Sequence, residues 1–415
     1  MWITGAGTRT GTGAGERANP LAGCWLVLTA VAAVLISATA PLGASQSWTT
    51  APDFEIVGPS DSGGDGGFDR VRRVRVSRDG VRVHVVEPLA RRITVWSPGG
   101  QLLLRLEGEG QLRALGRPWD VRLLPDGFWA MYDRHFARLS DDGRVREVLE
   151  YSMSGVEAVL ADRSILALAR LPSSAVMMGW REGEPPPGHQ GVLHYSGTGG
   201  NWAADTVAML DVRHEILGIR FDQGTSPHPT ATYTTQPFTD ADLSYFDGDS
   251  GRVGVVQRNG APGEVVVTEI TARGDTVWRR TIGLPPLTIA ADRIEEAVQG
   301  VARSAAEGAQ RVGRPITETT ARSLAEEALY LPEYLPAVAE VWATTSDELW
   351  LRSPEISDTL EVWYAIPRGD DVATPRRVLL PKWFQLRDAT ETHVWGLRSD
   401  TDDGIRVVGR RLVGS

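Results

Sequence analysis

Two stretches of the chain carry the same pattern, and their spacing constrains the fold more than any other feature. After RVSRDG (75–80) come VRVHVV, the acidic Glu87, the pair Arg91 and Arg92, ITVWS and the turn Gly99-Gly100. After RLLPDG (122–127) come FWAMY, the acidic Asp133, then Arg134 and His135, FARLS and the turn DDG at 141–143. The Asp-Gly pairs lie 47 positions apart and the acidic residues 46. Val81, Val83 and Val85 alternate with Arg82 and His84, the period of a strand with one apolar face; a helix needs spacings of three and four. Each unit is therefore expected to be a small antiparallel sheet that must stack on neighbours to bury its apolar surface.

Looser units follow at 155–210, 240–283 and 336–380, each with four strand-like runs. Residues 383–413 offer only three, WFQLRD, HVWGLRS and IRVVGRRL. DFEIVG (53–58) belongs to no unit of its own and supplies the missing strand, which removes a free sheet edge. The expectation is an all-β, six-bladed β-propeller over 45–415, five complete units and one shared between the chain ends. Between the fourth and fifth units, 288–329 reads as a helical hairpin insertion: Ile294, Val298, Val301 and Ala305 recur at helical spacing, GRP (313–315) stops the first helix and Thr317 caps the second. The 45 Gly and 25 Pro agree with many turns.

Residues 1–44 read as a signal peptide: Arg9 and Arg17, the apolar run CWLVLTAVAAVLISA (24–38), then small residues with a cut near Ala44. The run is short for a bilayer span. A periplasmic or extracellular location follows, with membrane attachment only through an uncleaved signal. Cys24, the sole cysteine, lies in that segment, which leaves the remainder without disulfide or thiolate chemistry. Without 1–44 the chain carries 41 basic and 52 acidic residues, net −11. Such a charge disfavours nucleic acid as a partner.

The run DG…VVEPLARRITVW…GG is similar to the NHL-type repeat, with Glu87, Arg92, Ile93 and Trp96 in its marked places and Glu87 where an Asp is usual. The segment YLPEYLPAVAEVWATTSDELWLR (330–352) resembles the closing part of secreted bacterial six-bladed β-propeller proteins, most of them of unassigned function. The resemblance implies the fold and carries no catalytic residue across.

The seven histidines include no HExxH pair, and no GxSxG elbow, P-loop or dinucleotide fingerprint occurs. The acidic turns DGDSG (247–251), SDTDDG (399–404) and DSGGDGG (61–67) suit hairpins as well as a hard cation, and none completes a calcium loop. No cofactor is expected, calcium being the ion such turns would take. The loops Glu87, Arg91, Arg92 and Asp133, Arg134, His135 form a candidate polar site on one rim, with arginine forks as donors to an anionic or hydroxyl-rich ligand. Trp180 and Trp202, beside the PPPG insertion and the GTGG turn, are the candidate surface aromatics; Trp96, Trp129, Trp278, Trp350, Trp363 and Trp395 lie in strand-like runs and are expected to pack. The leading expectation is a non-catalytic binding or scaffold protein that recognises a peptide, protein or glycan through one rim. The alternative is a lactonase-like hydrolase or lyase, with calcium, acting in the channel mouth.

Overall fold

Short runs of valine, isoleucine, leucine and tryptophan, cut by Asp-Gly and Gly-Gly turns, pair antiparallel in sequence order, as local β-hairpins do. The computed structural model describes residues 47–58, 67–107, 110–169, 188–198, 201–220, 231–248, 250–311, 313–355, 357–369, 374–399 and 404–414. It opens with β1 (Ser47–Ile56). One four-stranded sheet follows in the order β2 (Arg73–Val76), β3 (Val83–Glu87), β4 (Arg92–Trp96), β5 (Leu102–Leu106). A second comprises β6 (Pro118–Leu124), β7 (Gly127–Tyr132), β8 (His135–Ser140) and β9 (Val145–Glu150), and a third β10 (Val156–Val159), β11 (Ile165–Leu168), β12 (His189–Thr198) and β13 (Asn201–Asp211). The hairpin β14 (Ile216–Arg220) and β15 (Ala231–Thr235) stands apart from these sheets. Next come β16 (Leu243–Asp247), β17 (Arg252–Gln257), β18 (Glu264–Thr271) and β19 (Thr276–Gly283). The last sheet has eight strands: β20 (Glu340–Ala343), β21 (Glu348–Arg352), β22 (Leu360–Pro367), β23 (Arg376–Pro381), then β1, β26 (Arg406–Val413), β25 (His393–Arg398) and β24 (Phe384–Ala389).

The architecture is all-β, a propeller-like ring of sheets. First strands lie side by side, β2 beside β6 and β24, β16 beside β10 and β20, β20 beside β24. Between successive sheets sit apolar clusters, each fed from two sides: Val86 and Ile93 with Val121, Phe128 and Tyr132; Trp129 and Phe136 with Val159 and Ile165; Val256 and Trp278 with Leu349 and Val362. The N-terminal strand pairs with the C-terminal one, β1 lying antiparallel to β26 from Thr49 to Ile56. It begins earlier than 53–58, and at Ser47 and Trp48 it also runs parallel beside β23.

The alternation in the first unit needs correction. Val81 lies outside the strand and is exposed, while β3 is buried at every position. His84, expected on a polar face, packs edge-on against Phe128 with ring centroids 5.2 Å apart. Burial, aided by Arg82, lowers its pKa to about 4. A sheet stacked on both sides has no wet face, so period two there separates two cores rather than core from solvent. The Asp-Gly pairs are also not equivalent: Gly80 closes a turn onto the Ser77 carbonyl at φ 74°, whereas Gly127 starts β7 at φ 145°, where a Cβ would lie 2.0 Å from the Leu139 carbonyl oxygen.

Two helices separate β19 from β20: α1 (Ala291–Arg311) and α2 (Glu318–Ala328). Thr317 caps α2, its hydroxyl accepting from the Thr320 N–H at 3.2 Å. Val298, Val301 and Ala305 face inward, with Ala321 and Ala325 of α2, onto Leu217, Ile219 and Phe238 around the β14–β15 hairpin. The alanines permit close approach, so Ala305→Leu is expected to cost about 1–3 kcal/mol by overpacking, seen as a lower urea midpoint. An unchanged midpoint would mean that this face is not packed. Among the described residues no helix is long and apolar enough to cross a membrane.

Candidate functional site

In β2 the valines at 74 and 76 are buried among neighbouring sheets, and the intervening Arg73 and Arg75 are left partly exposed. Polar residues recur in the other first strands: Asp120 and Arg122 in β6, Glu157 in β10, Asp247 in β16, Glu340 and Trp342 in β20. All line one cavity of about 230 Å³ within the ring. A propeller concentrates such groups where its innermost strands converge.

Arg73 Nη2 donates to Asp120 Oδ2 at 2.7 Å, and Asp120 Oδ1 accepts from the Val121 N–H at 2.7 Å. Burial alone would raise the Asp120 carboxyl; Arg73 and Arg75 outweigh it and hold the group below the usual carboxylate range. Glu157 behaves oppositely. Burial pushes its carboxyl up to about 7, Arg73 and Arg72 only partly offsetting this and Asp120 adding to it. Neither the Glu157 carboxyl nor the Arg75 guanidinium has a hydrogen bond or ion pair within the described residues.

The remaining cavity charges are engaged. Arg122 donates to the Val159 carbonyl and passes Gly248, where a Cβ would come within 3.0 Å of Arg122 Cδ. Glu340 accepts from Trp342 Nε1 at 2.6 Å and from Arg352 Nε at 2.9 Å. The Trp342 ring lies 5.3 Å from the Arg73 guanidinium carbon and 5.6 Å from that of Arg387. Such cation–π contacts position guanidinium groups without neutralising them. Asp247 is bound by Arg368 Nη1 and by the Ser250 hydroxyl.

Of the site residues expected from sequence, none that the structure describes lines this cavity. Glu87 and Arg92 are buried in each other: Arg92 Nε donates to Glu87 Oε2 at 2.7 Å and Arg92 Nη2 to Oε1 at 2.9 Å. Arg91 is exposed in the intervening turn at φ 52°. Asp133 and Arg134 are exposed in the equivalent turn, Asp133 accepting from the Arg117 N–H at 3.4 Å, while His135 is half-buried at the start of β8. Trp202, half-buried on β13, packs beside the Trp129, Phe136 and Tyr151 cluster. Trp180 lies outside the described residues, as do most of the acidic stretches 61–67 and 399–404. Among the described residues no three His, Cys, Asp or Glu side chains gather as a metal site. The residues that sequence reasoning missed are Arg73, Arg75, Asp120, Glu157 and Trp342. Their one signal is polar residues inside RVRV, PWDVRLL, VEAV and EVWA, the first run of each unit.

No family model matches the chain, and no curated protein does. Among solved structures, a member of the DUF4221 family from Bacteroides vulgatus is similar at 8% identity and a TM-score of 0.45, covering 89% of this chain and 100% of that one. A putative exported protein from Bacteroides fragilis matches at 7% identity and a TM-score of 0.42, covering 89% and 99%. A gluconolactonase from Xanthomonas campestris matches at 12% identity and a TM-score of 0.35, covering 91% and 99%. Likeness of this degree assigns no activity.

Proposed function

We propose that the chain is a secreted six-bladed β-propeller that binds a small polar ligand in the mouth of its central channel. The eight-stranded sheet counts as two blades, β20–β23 and β24–β26 with β1, because only the Ser47 and Trp48 pairings with β23 join them. The observation that carries the reading is the cavity among the first strands, where Arg75 and Glu157 keep unused hydrogen-bonding capacity. Glu87 and Arg92 are paired with one another, which supports the channel over those two turn residues. Asp133 and Arg134 are left as a secondary rim contact.

A second reading, a hydrolase or lyase in the same channel, draws on one observation: a carboxyl near neutrality, as at Glu157, suits general acid–base work. The calcium-assisted form of that reading finds no ligand set among the described residues.

The test is a thermal-shift and calorimetric screen of sugars, sugar acids and amino acids, repeated with Arg75→Ala and with the double substitution Asp133→Ala, Arg134→Ala. A hit weakened at least about tenfold by the channel substitution, with little change in melting temperature, supports the proposal; about 1.4 kcal/mol corresponds to that factor. A hit lost only in the turn variant returns the site to the rim. Consumption of the hit during incubation, abolished by Glu157→Gln, would favour the enzyme.

A further inference from the structure

The channel's charges specify the ligand more closely. Arg73 is paired with Asp120 at 2.7 Å, and Arg122 donates to a backbone carbonyl; Arg75 acts on Asp120 through its charge alone and is the cavity guanidinium that makes no hydrogen bond or ion pair among the described residues. A planar guanidinium fork without a partner, in a partly enclosed space, fits a carboxylate. The cavity also holds Glu157, likewise without a partner. An ionised Glu157 would repel an incoming carboxylate across so small a volume; its acid form would instead donate an O–H···O⁻ bond, among the strongest hydrogen bonds available.

We infer that the channel is a proton-coupled carboxylate site: a hydroxy acid or sugar acid sets its carboxylate on Arg75, and Glu157 binds it in the acid form. This rests on the channel-binding reading above. No covalent bond changes. A proton is taken from solvent when Glu157 is ionised beforehand, and it returns to solvent when the ligand leaves. A cavity of about 230 Å³ admits a molecule of hexose size.

The other charged groups near Glu157 do not supply the switch. Arg73 and Arg72 act on Glu157 as cations and oppose the rise; Arg75 and Arg122 line the same cavity, and Arg387 of β24 lies over Trp342. Asp120 is held ionised by Arg73. Asp247 is engaged by Arg368, Glu340 by Trp342 and Arg352, and Asp388 by backbone N–H groups. Glu157 is the cavity acid whose carboxyl stands near 7, pushed there by burial.

Because the ligand selects the protonated form, affinity is full below that point and falls as pH rises through it, by about tenfold between pH 6 and 8. The experiment is calorimetry of the full protein with two matched pairs, galacturonate against galactose and lactate against 1,2-propanediol, at pH 6 and 8 and in two buffers of different ionisation enthalpy. The expected result is that an acid binds at least about tenfold tighter than its neutral partner. At pH 8 its binding takes up close to one proton, and Glu157→Gln, a permanent neutral donor, removes both the proton uptake and the pH slope. If neutral and acidic members bind alike, the channel-ligand reading stands and the carboxylate inference falls. If an acid binds without proton uptake, the role of Glu157 falls. If no member of either pair binds, the inference and the reading fall together. Should Glu157→Gln not fold, proton uptake by the unaltered protein decides the question alone.

Discussion

Replacing Asp388 by alanine is expected to destabilise the protein by about 4 kcal/mol. Its side chain is fully buried at the end of β24. It accepts from the Val76 N–H of β2 at 2.8 Å, from the Thr345 N–H just past β20 at 3.0 Å, and from the Thr345 hydroxyl at 3.0 Å. One carboxylate therefore ties the first strands of two sheets to a third segment 43 residues upstream of it. Alanine would leave the Val76 and Thr345 N–H groups without this acceptor, while the Thr345 hydroxyl keeps the Val76 carbonyl at 3.0 Å. Each such loss costs about 1–3 kcal/mol, and water reaching the widened site recovers part of it. Asparagine would restore volume yet turn an amide toward N–H groups, so it should rescue less than half. Denaturant unfolding measures both. A cost below about 1 kcal/mol for alanine would show that the sheets hold their places without this side chain.

What the sequence makes legible is whatever depends on period and neighbours in the chain. The strands of the first two units, the pairing of an N-terminal strand with the last three, the Thr317 cap and the inward face of α1 all follow from local spacing. The six strand-borne tryptophans expected to pack are buried, from Trp350 at 0% to Trp96 at 5% exposure. What it hides depends on where a strand sits in the ring. Arg73 and Arg75 alternate with valines in the same way as any solvent-facing pair, and only their place on a first strand turns them toward a cavity. Glu157 sits in a short run, VEAV, whose sequence gives no reason to expect burial or proximity to Arg73, 84 positions earlier. The acid–arginine turn poses the reverse problem. Glu87 with Arg92 and Asp133 with Arg134 look alike on paper, yet one pair is enclosed and the other faces solvent. Burial of a turn is set by what docks over it, which local spacing does not encode.

That contrast yields the second large prediction. Glu87 is 0% exposed and Arg92 3%, and they are joined as a two-pronged pair. Glu87→Ala removes the two-pronged partner of a buried guanidinium and leaves it the longer contact to Glu107 at 4.0 Å, so the expected cost is about 3 kcal/mol. Removing both charges should cost far less. With Glu87→Leu and Arg92→Met together, the desolvation of both ions is relieved and most of the volume is kept, so the double variant should lie within about 1.5 kcal/mol of the parent. The corresponding change in the second unit, Asp133→Ala, touches an exposed group and should stay within about 0.5 kcal/mol. Urea unfolding of the four proteins compares them directly. If Asp133→Ala proves as costly as Glu87→Ala, then that exposed turn also holds the ring together. If instead Glu87→Ala is tolerated while ligand binding is lost, the buried pair belongs to recognition rather than to the fold, and the channel loses its claim as the principal site.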